Sequence, residues 1–311
     1  MAGFLSDDID FEQYLQETDC KVKVRPASIF SDDYEAEFGE RSKAMRSLMT
    51  STKLRNAISF REGEVTVWAG YNGHKKSMLT GQVMLDLCAQ DEPCLSISLE
   101  MPPRRTLGRM ARQAIASPLP SRERWEQFMR WSDGRMWLFD HVGRLNPRMC
   151  LAVCRYFSGE LKGRHVFIDS LMRVCQSEES LDEQKQLIGD LCDLAKETGL
   201  HIHLIAHCKK PPGQDGESRP PTKYDIRGSS SVSDQAHNVI LVWANKAKQA
   251  ESEKREPDPK VMAQTDSIVV IDKQRNGGTE GRFGLAFDAR TLRHVDSAEQ
   301  AVEPYPLETL L

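Results

Sequence analysis

The chain has 311 residues, 39% of them hydrophobic and 28% charged, enough to bury one large core and build one α/β domain with extensions. A net charge of −4 argues against a surface that is basic throughout, although a local basic lining could still bind phosphate. No apolar run reaches the roughly 18 residues of a membrane span, so no membrane partner is expected.

The first residues, Met-Ala-Gly-Phe-Leu-Ser-Asp-Asp, are acidic and lack the charged and apolar regions of an export signal. Eight cysteines are scattered along the chain, mostly inside apolar runs, as buried free thiols are. Cys150 and Cys154 lie one helical turn apart, but no second pair completes a zinc site. A reducing cytoplasm is the expected location.

Residues 1–55 are polar and acid-rich, with too little apolar content for a core of their own. They are expected to form an arm or linker, with a helix over about 32–49 that docks elsewhere. Across 56–294 short β-rich runs alternate with helical stretches, which predicts a doubly wound, mostly parallel α/β sheet. Strands are expected at Val65–Ala69, Cys94–Leu99, Met136–Phe139, His165–Asp169, His201–Ala206, Asn238–Trp243 and Ser267–Ile271. Helices are expected at Ser77–Ala89, Arg104–Ala116, Arg122–Trp131, Pro147–Leu161 and Leu181–Thr198. Residues 208–224 and 245–265 read as long polar connections, the second of them mobile. Residues 295–311 read as an acidic tail, solvated or else recruiting a primase or polymerase.

The chemistry begins at Gly70-Tyr-Asn-Gly-His-Lys-Lys-Ser77, between the first strand and the first long helix. It fits the phosphate-loop pattern G-x-x-x-x-G-K-[ST] except at Lys75, which stands where the second glycine belongs. Strand, loop and helix in that order aim free N–H groups and a helix dipole at an anion. Gly70, Asn72, Gly73, His74, Lys75, Lys76, Ser77 and Met78 are therefore candidate nucleotide ligands. Lys76 would reach the β- and γ-phosphates, and the Ser77 hydroxyl would hold Mg²⁺. A lysine at a glycine position costs on the order of 1–3 kcal/mol if the backbone is strained there. Its added charge beside a triphosphate would offset part of that cost, and Lys75 could assume part of the role of Lys76.

Three further strands end in groups suited to the same chemistry. Glu100 follows the strand at 94–99, where it could orient or deprotonate an attacking water, or merely cap the helix that starts after Pro102. Asp169 ends His165-Val-Phe-Ile-Asp169, a Walker B pattern whose carboxylate coordinates Mg²⁺ or its waters. His207 ends the strand at 201–206 and could sense a γ-phosphate or be structural.

Taken in order, the phosphate loop, Ser98-Leu-Glu100-Met, Phe167-Ile-Asp169, Ala206-His-Cys-Lys209, Asp225-Ile-Arg-Gly-Ser229 and Lys273-Gln-Arg-Asn-Gly277 resemble the RecA-like motor domain of ring-shaped replicative helicases. The relatives in question are the DnaB type and the helicase half of phage primase–helicases. The resemblance implies ATP, or another NTP or dNTP, with Mg²⁺. It makes Glu100 the catalytic base, Asp169 the Mg²⁺-associated acid and His207 the γ-phosphate sensor. Lys273 and Arg275 would act in trans on a neighbour's nucleotide, although Asn276-Gly277-Gly278 also suits a solvated hairpin turn. It further implies a homo-oligomer, a hexameric ring, on single-stranded and forked DNA. Lys209, Lys210, Lys223, Arg227, Gly228 and Ser229 would face the channel and contact phosphate. The 32–49 helix would pack on the adjacent subunit. A recombinase-like filament former or assembly ATPase that binds DNA without parting its strands is the main alternative; a RecA-like packaging or signalling ATPase is another.

Overall fold

The computed structural model describes residues 3–4, 51–175, 180–211, 216–276 and 279–307. The expected helix over 32–49 and the Gly277-Gly278 turn lie outside the described residues, as do 308–311.

In chain order the elements are β1 Gly3–Phe4, α1 Thr52–Arg55, β2 Val65–Ala69, α2 Lys76–Cys88, β3 Cys94–Ser98, α3 Pro103–Ile115 and α4 Arg122–Ser132. There follow β4 Met136–Leu138, α5 Pro147–Gly159, β5 His165–Asp169, α6 Leu171–Val174, α7 Leu181–Thr198 and β6 His201–Ile205. The last are α8 Ser231–Gln235, β7 Asn238–Ala244, α9 Lys246–Ser252, α10 Pro259–Met262, β8 Ser267–Gln274, β9 Gly281–Asp288 and β10 Arg293–Val295. One sheet runs β1-β4-β3-β5-β6-β2-β7-β8-β9-β10. Its pairings are parallel from β1 to β7 and antiparallel from β7 to β10.

The parallel strands are near-continuous apolar runs because helices cover both faces. All five residues of β2 are buried, as are all seven of β7. One apolar core joins the sheet to α5 and α7, and a second joins it to α2, α3 and α4. Helix boundaries follow local chemistry. Asn146 caps α5 by accepting from Arg148 N–H, with Pro147 at the first helical position, and α7 ends at Gly199 with φ 72°.

Three expectations are corrected. The stretch 245–265 is not a long mobile connection, because Asn245 and Asp258 cap two short helices there, α9 and α10. The hairpin β9–β10 has no counterpart among the expected strands; only Leu285 of β9 is buried, so its period-two signal is faint. Nor is the acidic segment after 295 a solvated tail as far as it is described. Tyr305 and Leu307 are buried, and Tyr305 N–H donates to Ala114 O at 2.8 Å, at the end of α3. Asp296 in turn accepts from Thr52 N–H at 2.9 Å, binding α1 to the same unit.

A cluster of buried imidazoles spans the sheet beneath β2. His165, His201 and His203 are all at most 4% exposed. Trp68 Nε1 donates to His203 Nδ1 at 3.1 Å, and His201 Nε2 meets Thr66 Oγ1 at 2.8 Å. Burial favours the neutral rings, pushing His201 down to about 4 and, on β10, His294 down to about 3. Each therefore contributes stability that is intact above the unfolded value of about 6.5 and is lost as pH falls toward the folded value. At pH 5 these two alone should remove about 4 kcal/mol relative to pH 7.5. Urea unfolding at the two pH values checks this, and an unchanged midpoint would refute it.

The parallel register gathers the carboxyl ends of β2, β3, β5 and β6 at one edge. Ser98 pairs with Asp169, and Asp169 with Ile205. Glu100 and His207 thus emerge two residues beyond their strands, beside the loop that leaves β2.

Candidate nucleotide site

Gly70 must be glycine, because a Cβ there would lie 2.2 Å from Val242 O on β7. This close approach bends the loop over the sheet edge and sets the start of α2. Gly73 takes φ 74°. Lys76 is 5% exposed, and its Nζ donates to Gly70 O and Tyr71 O, each at 2.9 Å. Burial lowers its pKa, while Cys208, Asp169 and Glu100 pull the other way. The loop thus holds the ammonium at its own centre, poised for an anion.

Ser77 Oγ donates to Asp169 Oδ2 at 2.8 Å. Burial raises the Asp169 pKa, so this carboxylate gains from a nearby cation. A hydroxyl and a carboxylate are hard oxygen donors that suit Mg²⁺, an ion that takes few protein ligands and fills its shell with phosphate and water. The site fits the ion.

Glu100 Oε1 accepts from Ser170 Oγ at 2.9 Å and lies 3.6 Å from His207 Nε2 and 3.8 Å from Arg173 Nε. His207 above all, then Ser170 and Arg173, hold it down to about 2 against the opposing effect of burial. Lys76, Ser77, Glu100, Asp169, Arg173 and His207 line a cleft of about 590 Å³ together with Asn72, Gly73, His74, Lys75, Met78, Arg109, Arg144 and Arg227. Positive groups outnumber the two carboxylates, as a triphosphate site requires.

Arg227 is expected on DNA, and the sequence marks none of Arg109, Arg144 and Arg173. Arg109 sits mid-helix on α3 and rests on Met101 Sδ beside Asp169. Arg144 and Arg173 come from the segments after β4 and β5. Nothing about their spacing marks them, since arginine on a helix or loop is ordinary surface; only the fold points them inward.

Several expected ligands stand otherwise. The Lys75 backbone occupies the left-handed region, φ 63° and ψ 19°, as a glycine would. Its ammonium lies 3.7 Å from the centroid of Phe287 on β9, not beside the other loop lysine. In this arrangement the aromatic face offsets the cost of its strained backbone. Lys75→Gly should be about 1–2 kcal/mol more stable than Lys75→Ala, since both lose the ring contact but only alanine retains the left-handed strain. Equal urea midpoints for the two variants would contradict this.

His74 is fully buried and offers the cleft only its backbone. Its Nδ1 accepts from Ala244 N–H at 3.1 Å, which leaves the Nε2 proton to face Glu217 Oε2 at 3.3 Å.

Among the candidate DNA ligands, Lys209 and Lys210 are exposed. Lys223 is engaged, 3.8 Å from Asp272 on β8. Gly228 has φ 103° and packs so tightly on Gln184 of α7 that a Cβ would lie 2.0 Å from its Oε1. Ser229 N–H donates to the same oxygen at 2.9 Å. Arg227 N–H donates to His207 O at 2.7 Å, tying this segment to the cleft.

Lys273 and Arg275 are not brought to the cleft of their own chain. They lie at the far end of β8, where Gln274 pairs with Asn238 at the start of β7. Lys273 Nζ donates to Ser233 O and Asp234 O at 3.0 and 2.7 Å. Arg275 is exposed and makes one 3.4 Å contact with Asp234 O.

The chain is similar to two solved structures of this fold. One is an ATPase domain that shares 17% identity, with a TM-score of 0.69 over 86% of this chain and 98% of that one. The other is a DnaB-like replicative helicase, solved to show its interactions with primase. It shares 18% identity, with a TM-score of 0.66 over 88% of this chain and 67% of that one. Both place the sheet and its flanking helices in the RecA-like ATPase fold. The family profile described as DnaB-like helicase C terminal domain matches residues 50–296, four fifths of the sequence, and the chain belongs to that family.

Proposed function

We propose that this chain is an ATP-driven DNA helicase that works as a ring of identical copies, moving along single-stranded DNA by hydrolysis at subunit boundaries. The observation that carries the reading is a division of labour across the sheet. Lys76, Ser77, Asp169, Glu100 and His207 converge at one edge, while Arg275 stands exposed at the other. Head-to-tail packing in a ring brings opposite faces of neighbouring copies together.

Lys76 would exchange its two loop carbonyls for phosphate oxygens. Mg²⁺, when held by Ser77 and Asp169, would neutralise charge on the phosphates. Glu100, ionised and partnered by Ser170, would orient the attacking water. His207 touches Glu100 through its ring and Arg227 through its backbone, so rearrangement at the cleft passes directly to residues 227–229. The partners in this reading are ATP, single-stranded and forked DNA, and further copies of the chain. The 32–49 segment is assigned to the contact between copies, and a chain shortened to start near Thr50, which keeps α1, should lose oligomer mass by light scattering.

A forked duplex incubated with the protein, ATP and Mg²⁺ tests the proposal. Strand separation that requires hydrolysis is the expected result. Binding of the fork without separation would overturn it in favour of a nucleotide-gated DNA-binding protein.

A further inference from the structure

Leu119, Val142, Leu181 and Tyr224 are the large hydrophobic residues exposed among the described residues, and Tyr224, at 81%, is the aromatic one. It sits on a short turn fixed from several sides. Thr222 N–H and Oγ1 both donate to Asp225 Oδ2, at 2.7 and 3.0 Å. Lys209 N–H donates to Asp225 O at 2.7 Å, and Cys208 bridges Ile226 in antiparallel register. Lys223 N–H meets Asp272 Oδ2 at 3.4 Å from the other side.

The bridge ties the turn to the segment that carries Lys209 and Lys210, both exposed. Lys223 Nζ lies 5.6 Å from the ring centroid. An aromatic face on a rigid turn, bordered by cations, has the two parts of a single-strand platform: a surface for a base and charges for its flanking phosphates. Rigidity matters because the backbone that carries the ring is already ordered before binding.

We infer that Tyr224 stacks on a nucleobase of the bound single strand, with Lys209 and Lys210 on the adjacent phosphates. This rests on the DNA reading above and adds a base contact to a set otherwise made of phosphate contacts. Stacking on an aromatic face is tolerant of sequence, as a motor requires. The turn follows His207 by way of Cys208 and Ile226, so the stacked base would shift with the nucleotide cleft.

The test is fluorescence anisotropy with labelled oligothymidylate and with an abasic strand of equal length, in the presence of a nonhydrolysable ATP analogue. Tyr224→Ala should weaken oligothymidylate binding about tenfold and Tyr224→Phe should leave it within about twofold. On the abasic strand wild type and Tyr224→Ala should bind alike. ATP-analogue affinity should be the same in all three proteins, which guards against misfolding. Equal oligothymidylate affinity in wild type and Tyr224→Ala, or an equal loss on the abasic strand, would overturn the stacking contact while leaving the helicase reading intact. Failure of the wild-type protein to bind either strand would overturn both.

Discussion

Changing Arg275 to alanine is expected to cut ATP turnover by about 10³- to 10⁵-fold while leaving ATP affinity nearly unchanged. The side chain is exposed and, among the described residues, is held by a 3.4 Å contact with Asp234 O, so its loss costs the fold little. Lys273, by contrast, is committed to two carbonyls at the end of α8, which leaves Arg275 as the group free to reach across a boundary. A complementation experiment separates action in trans from a structural effect. Arg275→Ala and Lys76→Ala subunits are each inactive alone in this scheme. Mixed, they form boundaries at which the first supplies Lys76 and the second supplies Arg275. Turnover of the mixture should exceed the sum of the separate activities. No recovery on mixing, with oligomers of mixed composition verified by mass, would remove Arg275 from the site.

What the sequence made legible was the part carried by strand ends. Glu100, Asp169 and His207 each follow a β-rich apolar run, and a parallel sheet can only bring such ends to one edge. The pairing of Ser77 with Asp169 and of Glu100 with His207 follows from that rule. The destination of Lys75 was not legible, because it depends on Phe287, more than 200 positions away, on β9, whose mostly half-buried residues leave little periodicity. The same holds for Tyr305 and Leu307. Two apolar residues spaced by a proline in an acidic segment carry no period, yet the groove beside α2 and α3 buries both. Long-range contacts made by single side chains are invisible to local pattern, and the arginines of the cleft belong to the same class.

Glu100→Gln carries the second large effect: turnover should fall by about 10²- to 10⁴-fold, the usual range for loss of a general base or water-orienting carboxylate. The glutamine is nearly isosteric and can still accept from Ser170 Oγ, so ATP should bind as before and the protein should retain its fold. What it lacks is negative charge. Glu100 is held at about 2 by His207 first and by Ser170 and Arg173 after it, so it stays ionised through the whole neutral range. Its pairing therefore predicts a second readout: turnover of the wild-type enzyme should show no acid limb from Glu100 above about pH 4. A carboxylate that low is a weak proton acceptor while His207 faces it. The group consequently acts on water most strongly when the 3.6 Å contact to His207 opens, which couples the chemistry to the segment that runs on to Arg227. His207→Ala should then raise the Glu100 pKa and shift the acid limb upward, whereas Glu100→Gln should remove the limb altogether. A Glu100→Gln protein that hydrolyses ATP at the wild-type rate with DNA and Mg²⁺ present would place the water-activating group elsewhere in the cleft.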